Sequence, residues 1–327
     1  MSQIKSVGID VSKTKLDICL YTGDNNIFSK VESNPTNIND LTALLDHHQV
    51  GFDTPIVVES TGGYQMLAVQ VLQQNNFNVK LINPLITQKY LHSHIRKTKT
   101  DKQDSLLLAQ IGLQEDLYTY TEQPELVKLK RLYRLRESLI KQRQIHKNQI
   151  ANIKDTYQDE VSTLEISVLR SVVTQLNEQI KVIEKEILSN DLVKSSLDTI
   201  GKIRGISPLA LAGIIIELGD VNRFANSKQV VAYAGLDPSI KESGLSVRGK
   251  SRISKRGSRT LRSILCKSSW GVFMHNEELK AYFMRKRSEG KHYFSALVAT
   301  ARKILVIVYA LLRKKEAYDP KYLTRSI

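Results

Sequence analysis

Apolar positions change their period twice along the chain. Over residues 1–120 the runs are short and alternating or β-branched: SVGIDV, KLDICLYT, IFSKVES, PIVVES and NVKLINP, with polar turns such as GDNN among them. Alternation over so few residues predicts strands. NINDLTALLDHH and residues 65–74 have helical spacing instead. So do residues 101–113, through Leu106, Leu107, Leu108, Ile111 and Leu113. Three strands followed by alternating helix and strand predict a sheet with helices on its faces.

Between Pro124 and Gly201 there is neither proline nor glycine. Leu126, Leu129, Leu132, Leu135 and Leu139 recur at helical spacing. Leu169, Val173, Leu176, Ile180, Ile183 and Ile187 step four, three, four, three, four, which is a coiled-coil seam. The pattern predicts two long helices in an antiparallel hairpin, broken near residues 155–159. Beyond it, IGKIRGISPLALAGIIIELGD reads as helix, glycine turn, helix. The turn is Arg204-Gly205-Ile206-Ser207, and Pro208 stands at the first helical position. Such a turn is either a helix-hairpin-helix, whose amides hold a phosphate, or a plain corner between helices. FSALVATARKILVIVYALL near the end predicts an apolar core helix. The expected division is residues 1–122 (α/β), 123–195 (coiled-coil helices) and 196–327 (mainly α).

Composition changes this picture in one respect. The 327 residues are 41% hydrophobic and 25% charged, ordinary globular usage that excludes wholesale disorder and collagen-like structure. Yet 48 Lys and Arg face 33 Asp and Glu, a net charge of +15. That excess favours a polyanionic partner. No stretch is expected to span a membrane, and the charged first residues do not read as a signal peptide. Cys19 and Cys266 lie far apart with no CxxC pair, which fits a reducing cytoplasm. The first long helix is basic, and Arg131 and Arg134 on it are candidate nucleic-acid contacts; a solvated charged face is the alternative. His92 and His94 lack a third metal ligand, Trp270 and Tyr282 suit core or stacking, and no P-loop indicates ATP.

Four carboxylates stand out. Asp10 ends the first strand and Glu59 ends VVES, while Asp101 and Asp104 stand three apart at a helix start and face the same way. Each alone suits a cap or a first-turn dipole partner. Together they suit a hard divalent cation, Mg²⁺ or Mn²⁺, and with it phosphoryl transfer.

The segment ESGLSVRGKSRISKRGSR carries Ser243, Ser246, Ser251, Ser254 and Ser258. Arg248, Lys250, Arg252, Lys255, Arg256 and Arg259 lie among them, and Gly244, Gly249 and Gly257 allow close backbone approach to a phosphate. A serine there either attacks a phosphodiester or only donates hydrogen bonds. Spacing does not choose among the five.

VGIDVSKTKLDICL, VVESTGGY, LINP and KTDKQDSLLLA, followed by IRGISPLALAGIIIELGD, FANSKQVVAYAGLDP and KESGLSVRGKSRISKRGSRTLR, resemble the DEDD transposases of bacterial insertion sequences. These include bridge-RNA-guided recombinases and relatives of the pilin-gene invertase. The resemblance implies a RuvC-like, RNase H-like N-terminal fold and an acidic tetrad at Asp10, Glu59, Asp101 and Asp104. It implies a serine nucleophile in the Glu242-Ser243-Gly244 step. It also implies a composite site between subunits, a dimer or tetramer synapse, donor and target DNA, a non-coding bridge RNA and a bacterial cytoplasm. The rival readings are a Holliday-junction nuclease that uses the acids but not the serine, and a scaffold that binds nucleic acid without cutting it.

Overall fold

The computed structural model of the chain describes residues 3–60, 63–82, 84, 87, 90, 100–115, 117, 119, 120, 123–239, 242, 243, 247, 248 and 252–320, with only the backbone at 239, 242, 243, 247, 248 and 252. His92, His94, Gly244, Ser246, Gly249, Lys250 and Ser251 lie outside them. The chain divides into two compact units, Met1–Gln123 and Pro124–Ile327.

The first unit holds a five-stranded mixed sheet. Its strands are β1 (Ser6–Val11), β2 (Lys15–Tyr21), β3 (Ile27–Glu32), β4 (Ile56–Glu59) and β5 (Val79–Ile82). Their order is β3-β2-β1-β4-β5, the RNase H-like order; β1, β2 and β3 are antiparallel, and β4 runs parallel to both β1 and β5. Alternation sorts the two faces. Ile9, Leu16, Ile18 and Leu20 pack with Leu41 and Leu45 of helix α1 (Asp40–His47) and Leu72 of helix α2 (Met66–Gln74). Each such buried side chain contributes roughly 1.5–3 kcal/mol. The other face meets helix α3 (Asp101–Gln114), where Leu108 and Ile111 pack on Val57 and Ile82.

The second unit is mainly helical. Helices α4 (Pro124–Thr156) and α5 (Glu160–Ser189) form the expected hairpin. Asp159 stops the chain between them, capping α5 by accepting from the Ser162 amide while Ser162 Oγ accepts from the Asp159 amide. The pairs Arg143–Asn177 (2.9 Å) and Arg136–Glu184 (2.8 Å) show that the helices run antiparallel. The seam is buried at Ile180, Ile183 and Ile187. Ile183 and Ile187 join Leu126, Leu129 and Tyr133 in the core of the second unit, so the foot of the hairpin belongs to that core.

Six more α-helices follow among the described residues: α6 (Asp191–Ile200), α7 (Pro208–Leu218), α8 (Ser227–Tyr233), α9 (Arg259–His275), α10 (Glu277–Ser288) and α11 (Tyr293–Lys314). Ser207 caps α7 by accepting from the Ala210 amide, and Pro208 opens it. Gly205 turns with φ +84°, and a Cβ there would stand 2.4 Å from the Gly271 carbonyl oxygen on α9. This corner therefore needs glycine for backbone-on-backbone packing.

One expectation is corrected. Helix α11 is long and apolar enough to cross a membrane by length and composition, although no such stretch was expected. More than half of it is buried, with Leu297, Ala301, Ile304, Leu305 and Val308 turned into the unit's own packing. Its apolar character is thus that of a core helix.

Between α8 and α9 two short ladders nest. β6 (Pro238–Ser239) pairs with β9 (Arg252–Ile253), and β7 (Glu242–Ser243) with β8 (Val247–Arg248), both antiparallel.

Candidate active site

Strand register and one glycine place the acids. Asp10 lies opposite Asp17 in the β1–β2 ladder, and Ile9 pairs Val58 in the β1–β4 ladder. Asp10 and Glu59 are thus the next residues of adjacent parallel strands. Ser6, Gly8 and Asp10 share the face covered by α3. Ser6 Oγ donates to the Ala109 carbonyl (2.6 Å). A Cβ at Gly8 would stand 1.9 Å from the Ser105 carbonyl oxygen, so α3 lies directly on the β1 backbone. Helix and strand run oppositely along this contact. One turn before Ser105 the helix begins, which brings Asp101 and Asp104 over the Asp10 end of the strand. Thr100 fixes that start by accepting from the Gln103 amide.

The electrostatics agree with this placement. The Asp10 carboxyl is pushed up to about 6, first by burial, then by the charges of Asp104, Glu59, Asp101 and Asp17. Asp104, Glu59 and Asp101 therefore each act on Asp10. Asp101, half exposed, is held well below the usual carboxylate range by Lys15, whose Nζ donates to its Oδ2 at 2.6 Å. The same ammonium lies 3.1 Å from Asp17 Oδ2. Among the described residues no three His, Cys, Asp or Glu side chains stand close enough to hold an ion between them. With Asp101 drawn to Lys15, the set is gathered but not closed. Its chemistry still fits a hard divalent cation: every donor is a carboxylate oxygen, and burial together with the neighbouring negative charges raises Asp10.

Sequence reasoning missed Asp17 and Lys15. Asp17 is buried, with Oδ1 lacking a hydrogen bond and Lys30 Nζ 3.4 Å away. An acid inside the otherwise apolar run KLDICL was the available signal.

A pH effect follows in the metal-free protein. Asp10 binds its proton more tightly folded than unfolded, so its contribution to stability is fully present below pH ~3.8 and is lost as pH rises through about 6. Asp10→Asn is expected to raise the melting temperature in EDTA at pH 8 by roughly 3–5 °C, what ~1 kcal/mol gives a domain of this size, and to change it little at pH 4. Differential scanning calorimetry at the two pH values checks this; equal shifts at both would remove the crowding argument.

The basic candidates have varied surroundings. Arg134 forks onto the fully buried Glu217 (3.1 and 3.3 Å), which also accepts from Ser258 Oγ (2.8 Å). Ser258 caps α9 as well, so this buried link ties the end of the serine-rich segment to the core. Nothing in the sequence marked Glu217. Arg131, Arg204, Lys255, Arg256 and Arg259 are exposed. Ser243 and Arg248 lie on the inner ladder and Arg252 on the outer one, as backbone positions. Trp270 is 51% exposed and so is not a core residue.

Comparison with known proteins adds the following. Residues 7–157 match a family model described as Transposase, of the DEDD type of IS110, and residues 197–284 match one described as Transposase IS116/IS110/IS902 family. The chain is 28% identical over 327 residues to the pilin gene-inverting protein of Moraxella lacunata, covering 96% of this chain and 98% of that protein. It is 22% identical over 348 residues to the transposase for insertion sequence element IS1111A of Coxiella burnetii, covering 97% and 92%.

Proposed function

The chain belongs to the IS110 family of transposases, and from that premise we propose that it cuts and rejoins DNA through a phosphoserine intermediate on Ser243. The observation that carries this reading is the gathering of Asp10, Glu59, Asp101 and Asp104 at one end of the sheet, felt at the Asp10 carboxyl. These are the residues that would hold Mg²⁺ or Mn²⁺, and the DEDD class typically uses a divalent metal. When bound, such an ion stabilises the charge that develops on a phosphate in transfer. Lys15 favours the ionised form of Asp101, the form that would ligate once released from the ammonium. The Ser243 oxygen forms a bond to phosphorus as one strand P–O bond breaks, and the proton passes to the leaving oxygen.

In this reading residues 1–122 form a RuvC-like catalytic domain, 123–195 a coiled coil and 196–327 the domain that carries the serine. The composite centre forms when domains of different subunits meet. Exposed Val161, Leu164 and Val168 on α5 support an oligomer, since soluble surfaces rarely leave such apolar rows bare. A charge of +15 supports binding to DNA and to a guide RNA encoded by the element. The Arg204–Ser207 turn and the cations of the serine-rich segment are the proposed phosphate contacts. The test is strand exchange between DNA copies of the element's ends and a target, with and without the co-purifying RNA.

Affinity for DNA is expected to fall steeply between about 50 and 200 mM salt, because counterions released from the phosphates drive binding. Fluorescence anisotropy across that range checks it, and a flat response would remove the polyanion argument. One discrete RNA species is expected to co-purify; random fragments would count against guidance.

A further inference from the structure

A cleft of about 580 Å³ in the second unit is lined by Pro238 and Ile253 on one side and the start of α11 on the other. Pro238 and Ile253 are paired residues of β6 and β9, so the cleft lies at the foot of the segment carrying Ser243. Fully extended, the five steps from Pro238 to Ser243 reach at most ~18 Å. Lys255, Lys291 and Arg302 line the cleft, and among the described residues no carboxylate does. Lys255 holds a left-handed backbone, φ +55°, which glycine takes freely and lysine does not. Arg302 donates to the Leu236 carbonyl, while its Nε is buried without a hydrogen-bond partner.

The rim is aromatic. Phe294 is 67% exposed, and its ring stacks on His292 at 5.8 Å and 28°. Tyr293 continues the row to Trp270, their rings 6.0 Å apart. Exposed aromatic rings beside cations that form no ion pair with a described residue are what an unstacked nucleotide needs: a flat apolar face for the base and donors for its phosphate. An apolar peptide would leave the cations unused, and duplex DNA offers no free base face.

We infer that this cleft takes an unpaired nucleotide next to the strand that is cut, with its base on Phe294 and its phosphate against Lys255, Lys291 and Arg302. The inference rests on the reading of the protein as one that handles nucleic acid. Its consequence is that the DNA or RNA near Ser243 is held single-stranded.

The test titrates the full chain with oligonucleotides carrying 2-aminopurine, whose fluorescence is quenched by stacking. Wild type is expected to quench the unpaired probe and not the same probe in a duplex. Phe294→Ala should lose the quench and bind the unpaired probe roughly five- to a hundred-fold more weakly, the range for one stacked base. Lys291→Glu should weaken binding and lower the salt slope by about one. Phe294 is exposed, so its loss should not unfold the chain, and the equally exposed Phe52→Ala in the first unit is the control that keeps wild-type quenching. DNA and RNA probes of one sequence distinguish the source, as the partner whose affinity falls further with Phe294→Ala. Wild-type quenching and affinity in Phe294→Ala would overturn the site while leaving the recombinase reading intact. If the wild-type chain bound no nucleic acid at all, both would fall.

Discussion

Ser243→Ala is expected to bind DNA like wild type and to lose both strand cleavage and strand exchange. The substitution removes one hydroxyl from a short strand whose ladder bonds are backbone bonds, made to Val247, so folding should be unaffected. The chemical loss should be complete, because no neighbouring atom replaces a nucleophile. A phosphoserine link keeps the energy of the broken strand in a phosphodiester, so rejoining needs no ATP, in keeping with a sequence that has no P-loop. Ser246→Ala, three residues on, should be milder. Denaturing electrophoresis of labelled DNA from a stalled reaction reads the result. Wild type should give a protein–DNA adduct and Ser243→Ala none. Free cut ends from Ser243→Ala would mean that water attacks at the carboxylates, and the Holliday-junction nuclease reading would replace this one.

The sequence exposed this architecture unevenly. The five strands were legible because alternation over SVGIDV and KLDICLYT is a local property, and the register Asp10–Asp17 follows once those two strands pair. The long hairpin was legible for the same reason, down to its break near Asp159, where a capping residue opens the second helix. What stayed hidden depends on non-local approach. Nothing local in SVGIDV marks Gly8 as the place where α3 lies on the strand. Glu217 sits in the apolar run IIIEL and gains meaning only from Arg134 and Ser258, 83 and 41 residues away in sequence. Lys15 drew no notice at the head of KLDICLYT, yet it holds Asp101. Helix α11 was legible as a core helix, although its local composition is shared with a membrane span and only its packing separates the two. Resemblance, rather than spacing, singled out Ser243 from five serines.

Asp10→Asn, Glu59→Gln, Asp101→Asn and Asp104→Asn are each expected to abolish strand exchange, by at least ~10²-fold, while the protein stays folded and still binds DNA. The reason is positional. Asp10 and Glu59 are fixed by adjacent parallel strands, and Asp101 and Asp104 by a helix whose start is set by Thr100 and whose depth is set by Gly8. A carboxamide keeps the shape but removes one negative charge, so a cation there would be both under-neutralised and displaced. EDTA should reproduce the four variants in wild type, and added Mg²⁺ or Mn²⁺ should restore wild type but not the variants. Lys15→Ala separates the two roles of Asp101: it frees the carboxylate from its ammonium, so exchange should persist with a changed Mg²⁺ requirement. Full exchange in EDTA would refute a catalytic metal. The four acids would then be the cap, the first-turn charges and the strand ends that each of them resembles when taken alone.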